Sequence, residues 1–388
     1  MIATCPVCAS PDAMDVARLE AIPVLCNSLW PDRQSALKAD RAGMRLVMCA
    51  NCSHLFNADF DPGILAYDGR YDTTLTHSAI FSSYVEETAM RLVRSYDLVN
   101  CHVLEMGCGQ GYFLERLINH GAATGTGFDP SYRADTSVAD NPSLKIHSRY
   151  FSAGQSSPTA DLACSRHVLE HLESPLDGLE LLRASLSPSG RGLVYAEVPN
   201  GLWTLEMGGV WDLIYEHVSY FTPTSLQYLA QRAGLDVIKL EPVFGSQFLG
   251  MDARIAEDAR SETPSIDELL NKASDLGETI TDLRRGWAER IVKWRSVGRD
   301  IALWGAGSKG VTFLNIVDGA DIIEHVVDIS PTKFGRYVPG TGQEIIPPSR
   351  LVGSVTGPLE VICMNPNYQK EIAAELADLG VDATLHLV

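Results

Sequence analysis

The sequence predicts an α/β protein in which two doubly wound, Rossmann-like units follow a small N-terminal lobe. Three observations predict it. An apolar run ending at Glu105 passes into Gly107-Cys108-Gly109-Gln110-Gly111, and Phe113, Leu114, Leu117 and Ile118 then recur at helical spacing. A second strand, glycine turn and helix recurs from Ile301 to Leu314. Ahead of both stand two cysteine pairs, Cys5-Pro-Val-Cys8 and Cys49-Ala-Asn-Cys52.

The lobe, residues 1–66, rests on those pairs. Two Cys-x-x-Cys knuckles place four thiolates around a tetrahedral zinc, and such a closed site holds a lobe that has little core of its own. Cys5, Cys8, Cys49 and Cys52 are expected to bind one structural zinc; four thiolates leave no open position for a catalytic water. Cys26, Cys101, Cys108, Cys164 and Cys363 are expected to be free, mostly buried thiols.

Residues 67–258 read as the first Rossmann-like domain. Tyr84, Val85, Thr88, Ala89, Leu92, Val93 and Tyr96 predict a helix leading into its first strand. Upstream, Tyr67, Tyr71 and His77 either lid the pocket that follows or pack on the surface; Tyr71 is a candidate substrate contact. Gly107, Gly109 and Gly111 remove Cβ atoms where a backbone must approach a ligand at a strand's carboxyl end. Their Gly-x-Gly-x-Gly spacing departs from the dinucleotide fingerprint. With Glu105, and with Asp129 about 20 residues on, it suits a ligand that has ribose hydroxyls and no pyrophosphate. S-adenosylmethionine fits that description.

Further strands are expected at Leu144 to His147, Asp161 to Cys164 and Leu193 to Asn200. Ser165 to His171 reads as a charged helix start facing the cofactor region, with His167 a cofactor contact. His167 and His171 would share a helix face, as pocket wall rather than metal site, because no third ligand lies at suitable spacing. Asn200 ends its strand where a substrate would lie. In Trp211 to Ser225 a histidine stands among aromatics beside one acid, and Thr-Pro-Thr-Ser reads as a helix start. His217 is either a general base, with a nearby carboxylate fixing its tautomer, or a satisfied structural histidine.

Ile266 to Trp294 is expected as one amphipathic helix, within a connector spanning residues 259–298. It docks between domains, or forms a dimer coiled coil. Residues 299–388 form the second Rossmann-like unit. Its loop, Gly305-Ala-Gly307-Ser308-Lys309-Gly310, either holds a diphosphate, with Lys333 and Arg336 adding positive charge, or is a glycine turn for helix packing. Its final strand is expected at Leu359 to Met364 and its last helix at Gln369 to Leu379.

Composition bounds the function. A formal net charge of −18 over 388 residues argues against a nucleic-acid partner, which would want a basic face. No apolar run approaches the ~20 residues of a membrane span, and the N-terminus lacks a signal pattern. The expectation is a soluble, cytoplasmic enzyme of small molecules, monomer or homodimer.

The two knuckles, the Glu-x-Gly-x-Gly-x-Gly loop, the Glu-His-x-Ser-Tyr-Phe segment at Glu216 to Phe221 and the second glycine loop occur in this order in one family. The chain resembles the zinc-containing, S-adenosylmethionine-dependent C-methyltransferases that make branched deoxysugars from nucleotide-linked keto-sugars. The resemblance covers essentially the whole chain. It implies a class I methyltransferase domain and a C-terminal domain that serves the nucleotide-sugar. It further implies that His217 removes the proton next to a ketone and that Glu216 is its acidic neighbour. Family members carry Tyr-His ahead of that pair, where this chain has Ile214-Tyr215. Tyr215 and Tyr220 are the candidates to replace the missing tyrosine. Methylation of an oxygen or nitrogen, and a non-catalytic nucleotide-sugar-binding protein, are the alternatives.

Overall fold

The computed structural model describes residues 2–65, 76–133, 141–152, 159–187, 192–257 and 267–388. Tyr67, Tyr71 and Ile266 lie outside the described residues. The lobe contributes β1 (Ala13–Pro23), a one-turn α1 (Arg33–Ala36), β2 (Arg41–Cys49) and β3 (Leu55–Asn57). The first Rossmann-like domain runs α2 (Ala79–Ser95), β4 (His102–Met106), α3 (Tyr112–Asn119), β5 (Thr124–Phe128), β6 (Leu144–His147), β7 (Leu162–Arg166) and α4 (Pro175–Ala184). It continues with β8 (Leu193–Pro199), α5 (Gly201–Glu206), β9 (Ser219–Tyr220), α6 (Pro223–Arg232), β10 (Leu235–Val243) and β11 (Phe248–Ile255).

Its seven strands lie in the order β10-β11-β8-β7-β4-β5-β6. β11 runs antiparallel to both neighbours, whereas β8, β7, β4, β5 and β6 are parallel. The strand order reverses beside β4, so the crevice at the carboxyl ends of β4 and β7 is where such a sheet takes a ligand. The glycine loop follows β4, as the sequence predicts.

The lobe is not closed on itself. Its antiparallel sheet has the order β1-β2-β3-β9, and β9 comes from the Glu216 to Phe221 segment, with Leu55 opposite Tyr220 and Phe56 opposite Ser219. His54, fully buried, bonds the Ser219 hydroxyl at 3.1 Å and the Ser225 hydroxyl at 3.4 Å, and burial holds its imidazole down to about 3, neutral. The Thr222 side chain caps α6 in a reciprocal capping box with Ser225.

The expected single connector helix is two, α7 (Asp267–Ser274) and α8 (Leu276–Ser296). The Ser274 hydroxyl bonds the Asn271 carbonyl and the Asp275 carboxylate at the break, local bonds of the kind that compete with a continuous helix. Leu276, Ile280, Trp287 and Ile291 are buried in one cluster with Val16, Leu19 and Ile22 of the lobe and Phe313 of the C-terminal unit. The stripe is therefore spent inside the chain, as a connector docked between domains.

The last unit comprises β12 (Asp300–Trp304), α9 (Ser308–Ile316), β13 (His325–Val327), β14 (Ile345–Ile346), β15 (Leu359–Cys363), α10 (Gln369–Asp378) and β16 (Ala383–Leu387). They form a parallel sheet of order β14-β13-β12-β15-β16. The expectation of a final strand at Leu359 to Met364 is corrected: Ala383–Leu387 follows as an edge strand, which its half-exposed, mixed residues disguise.

Candidate active site

The four knuckle cysteines meet. Their sulfurs lie within 4.8 Å of one another, with Cys5 to Cys52 at 3.6 Å and Cys8 to Cys49 at 3.4 Å, and all four are free thiols. The knuckles share one backbone design. Ala9 N–H bonds the Cys5 carbonyl and Ser53 N–H the Cys49 carbonyl, and Ala9 and Ser53 both take left-handed φ, 62° and 56°. Hydrogen bonding with Cys49 pushes the Cys5 and Cys52 thiols up, and the same sharing pulls Cys49 down. Zinc–sulfur bonds of about 2.3 Å in a tetrahedron need sulfurs about 3.8 Å apart, so this donor set fits that ion.

The cofactor loop is built tightly except at one point. A Cβ on Gly107 would lie 2.1 Å from Val168 Cγ2, and one on Gly127 of β5 would lie 2.5 Å from Cys108 Sγ. Gly109, at φ 54°, has nothing within 4 Å of that position. Gly111 caps α3 with no side-chain bond, so the helix amides face the same space. Asp129 Oδ2 accepts the Gly109 N–H at 2.8 Å, and Oδ1 accepts the Ser131 N–H at 2.8 Å and hydroxyl at 2.6 Å. Glu105 is buried, its Oε2 has no hydrogen-bond partner among the described residues, and burial pushes its carboxyl up to about 8. A buried carboxyl of that kind calls for a cation, and S-adenosylmethionine carries an ammonium. The open cradle at Gly109 and the orphaned Glu105 fit that cofactor. Asp129→Ala should weaken its binding by ~1–3 kcal/mol, through lost loop and ribose hydrogen bonds; unchanged affinity in calorimetry would refute the role.

Beside the loop lies a buried charge cluster that sequence reasoning missed. Glu197, at the end of β8, accepts the Tyr195 hydroxyl at 2.7 Å, the Arg166 guanidinium at 2.8 Å and the Tyr84 hydroxyl. His167 Nε2 stands 2.9 Å from it. Although burial alone would raise it, Arg166 and His167 hold the Glu197 carboxyl well below the usual range. Although burial lowers it, Glu170 and Glu197 carry His167 up to about 9. A lone acid inside the apolar run Leu193 to Val198 was the signal, since a strand buried on both faces holds a charge only when it is paired.

The expected helix start at Ser165 to His171 is corrected. His167 takes a left-handed φ of 55°, only a single helical turn, Leu169–His171, follows, and the next helix begins at its Ser174 cap. His167 therefore faces Glu197, while His171 Nδ1–H donates to the Glu216 carbonyl at 3.1 Å. The His171 and His217 rings meet edge to face at 4.8 Å, and a Glu170 carboxylate oxygen completes a cluster whose donor atoms all lie within 4.8 Å. Glu170 was not foreseen. His217 Nδ1 is buried with no partner among the described residues, and burial, then His171 and His167, lowers its pKa well below the ordinary histidine value. The Glu216 carboxylate instead accepts the Cys26 N–H at 3.2 Å.

Other candidate contacts are occupied. The Tyr215 hydroxyl bonds the Asp61 N–H at 2.9 Å and the Asp59 carbonyl at 3.3 Å, and the Tyr220 hydroxyl bonds the Ile214 N–H at 3.0 Å and carbonyl at 2.9 Å. Both rings are buried, so neither takes the place of a tyrosine at Ile214, because those hydroxyls are spent on backbone groups. Asn200 spends its amide capping α5 and bonding the Ser246 carbonyl. His77 is exposed.

The second loop copies the first. Asp328 Oδ2 accepts the Ala306 N–H at 2.9 Å and Oδ1 accepts the Ser330 N–H at 2.9 Å, as Asp129 does for Gly109 and Ser131. Gly307, like Gly109, has nothing within 4 Å of a Cβ, and α9 starts at Ser308 with no side-chain cap. Lys333, buried, bonds Asp328 at 2.9 Å and the Ala306 carbonyl at 3.3 Å; Arg336 is exposed. Lys309 bonds Asp212 at 2.7 Å and lies 4.7 Å from the Trp203 ring centre. Thr312 bonds the Leu213 carbonyl at 3.4 Å, so α9 is seated on the segment that leads to His217.

Among the described residues no helix is long and apolar enough to cross a membrane. The family described as methyltransferase domain matches residues 45–240, and that described as C-methyltransferase C-terminal domain matches residues 252–384. The chain is 25% identical over 390 residues to C-methyltransferase NovU of Streptomyces niveus, covering 95% of this chain and 90% of that protein. It is 33% identical over 110 residues to a tRNA U34 carboxymethyltransferase of Pseudoalteromonas atlantica, covering 27% of this chain and 34% of that one. An S-adenosylmethionine-dependent methyltransferase structure from Mesorhizobium loti is similar at 16% identity and a TM-score of 0.37, covering 45% of this chain and 99% of that one. The methyltransferase-domain match over residues 45–240 spans half of the chain, including Cys49, Cys52, Gly107 to Gly111 and His217, so the chain belongs to the methyltransferase-domain family and is an S-adenosylmethionine-dependent methyltransferase whose residues 252–384 match the C-methyltransferase C-terminal domain.

Proposed function

We propose that the protein methylates a carbon next to a ketone, in a nucleotide-linked keto-deoxysugar, with His217 as the base. The observation that carries this reading is a half-buried imidazole clustered with Glu170 and His171 on the turn after β7, on a segment where α9 of the second glycine loop is seated. Likeness to a C-methyltransferase along nearly the whole chain supports a carbon acceptor.

In this reading His217 takes the proton from the carbon, and the C–H electron pair forms the enolate. S-adenosylmethionine supplies an electrophilic methyl on sulfur. Glu105, the loop amides around Gly109 and Asp129 hold that cofactor, and the buried Glu197 cluster fixes the wall beside it. Ser308 and the α9 amides, with Lys309, take the diphosphate; Lys333 holds the loop through Asp328, and Arg336 offers charge at its edge. Asn200 and Tyr220 shape the acceptor pocket from behind. Cys5, Cys8, Cys49 and Cys52 hold one structural zinc.

The test is incubation with labelled S-adenosylmethionine and a panel of nucleotide-linked keto-sugars, with the transferred methyl located by mass and magnetic resonance. A methyl on carbon, and solvent deuterium entering the same carbon without cofactor, are expected. A methyl on oxygen or nitrogen with no exchange would overturn the carbon acceptor.

A further inference from the structure

The family resemblance pairs His217 with its neighbour Glu216, yet the Glu216 carboxylate accepts the Cys26 N–H and its carbonyl accepts His171. Among the described acidic residues, the one whose carboxylate clusters with the His171 and His217 ring nitrogens is Glu170. It is 1% exposed, and its Oε2 has no hydrogen-bond partner among the described residues. The His217 Nδ1 is buried and lacks one too. Each of these buried groups costs desolvation energy until a partner serves it, and the cluster brings a Glu170 carboxylate oxygen and a His217 ring nitrogen within 4.8 Å, with no hydrogen bond between Oε2 and Nδ1. The backbone keeps them together, for Val218 N–H donates to the Glu170 carbonyl at 2.8 Å. His167 Nδ1 stands 3.7 Å from Glu170 Oε1.

We propose that Glu170 is the positioning carboxylate of the base: it holds the proton on His217 Nδ1, which leaves the Nε2 lone pair for the acceptor. This rests on His217 being the base. When the acceptor C–H bond breaks, its electron pair stays on carbon as the enolate and its proton goes to Nε2. The Glu170 carboxylate accepts Nδ1–H and so stabilises the imidazolium. Among the described residues, the groups that face His217 are Glu170, His171 and His167 from the turn after β7, and Tyr220 from its own segment.

Nitrogen-15 imidazole spectra of the full chain, with His217 assigned against His217→Ala, read the tautomer without any acceptor. The expected result is Nδ1–H in the wild type and a mixture of tautomers in Glu170→Gln. The same variant should lower kcat about 100-fold and move the acid limb of the kcat/KM profile to lower pH, with cofactor affinity and KM little changed. Glu170→Asp should regain part of the rate. An Nε2–H tautomer in the wild type, an unchanged rate and tautomer in Glu170→Gln, or the loss of a bound divalent ion in that variant would each overturn the assignment. If His217→Ala keeps its activity, the reading of His217 as base falls; if only Glu170→Gln is silent, that reading stands.

Discussion

His217→Ala is expected to reduce turnover by about 10²–10⁴-fold, to near the limit of detection, while leaving S-adenosylmethionine affinity close to wild type. The split follows from placement. His217 clusters with Glu170 and His171, whereas the groups that suit the cofactor, Glu105, Gly109 and Asp129, are on β4, its loop and the end of β5. On the proposed roles, removing the imidazole removes the proton acceptor and leaves the cradle intact. Calorimetric titration with the cofactor and the rate of methyl transfer together check it. A fully active variant would remove His217 as the base, and a variant with lost cofactor affinity would place it in the cradle instead.

The second large effect is expected from the knuckles. Cys49→Ser should lose about one equivalent of zinc and unfold the lobe, because binding at such sites carries apparent energies of ~10–16 kcal/mol that are largely folding energy. The loss should not stay local. β3 pairs with β9, and β9 begins two residues after His217, so a disordered lobe releases His217 as well as its own sheet. Elemental analysis, circular dichroism and turnover should fall together in Cys49→Ser, while Cys26→Ser keeps the metal. Wild-type protein purified without chelator and found free of zinc would refute the metal.

Much of the fold was legible in the residues. The Gly107, Gly109 and Gly111 spacing, Asp129 and the strand runs led to a parallel sheet with its loop after β4, because glycine turns and strand patterns are local. Long-range pairing was not legible. Ser219–Tyr220 looks like part of a connector, and its place in the lobe sheet depends on Leu55 and Phe56, far away in the chain. The connector helix was read as continuous because apolar spacing persists across Ser274 and Asp275, where local side-chain bonds end the helix.

The site divides in the same way. The residue types and spacings alone determined a nucleoside loop, four thiolates in two knuckles and a histidine among aromatics. Which groups serve one another was decided only by the tertiary structure. Adjacency in sequence suggested Glu216 for His217, yet the chain turns Glu216 toward Cys26, and the left-handed backbone at His167 brings Glu170 beside the imidazoles. The Tyr215 and Tyr220 hydroxyls are likewise spent on backbone groups. The physical reason is that a buried polar group must find its partner in space, and proximity along the chain carries no information about which partner that is.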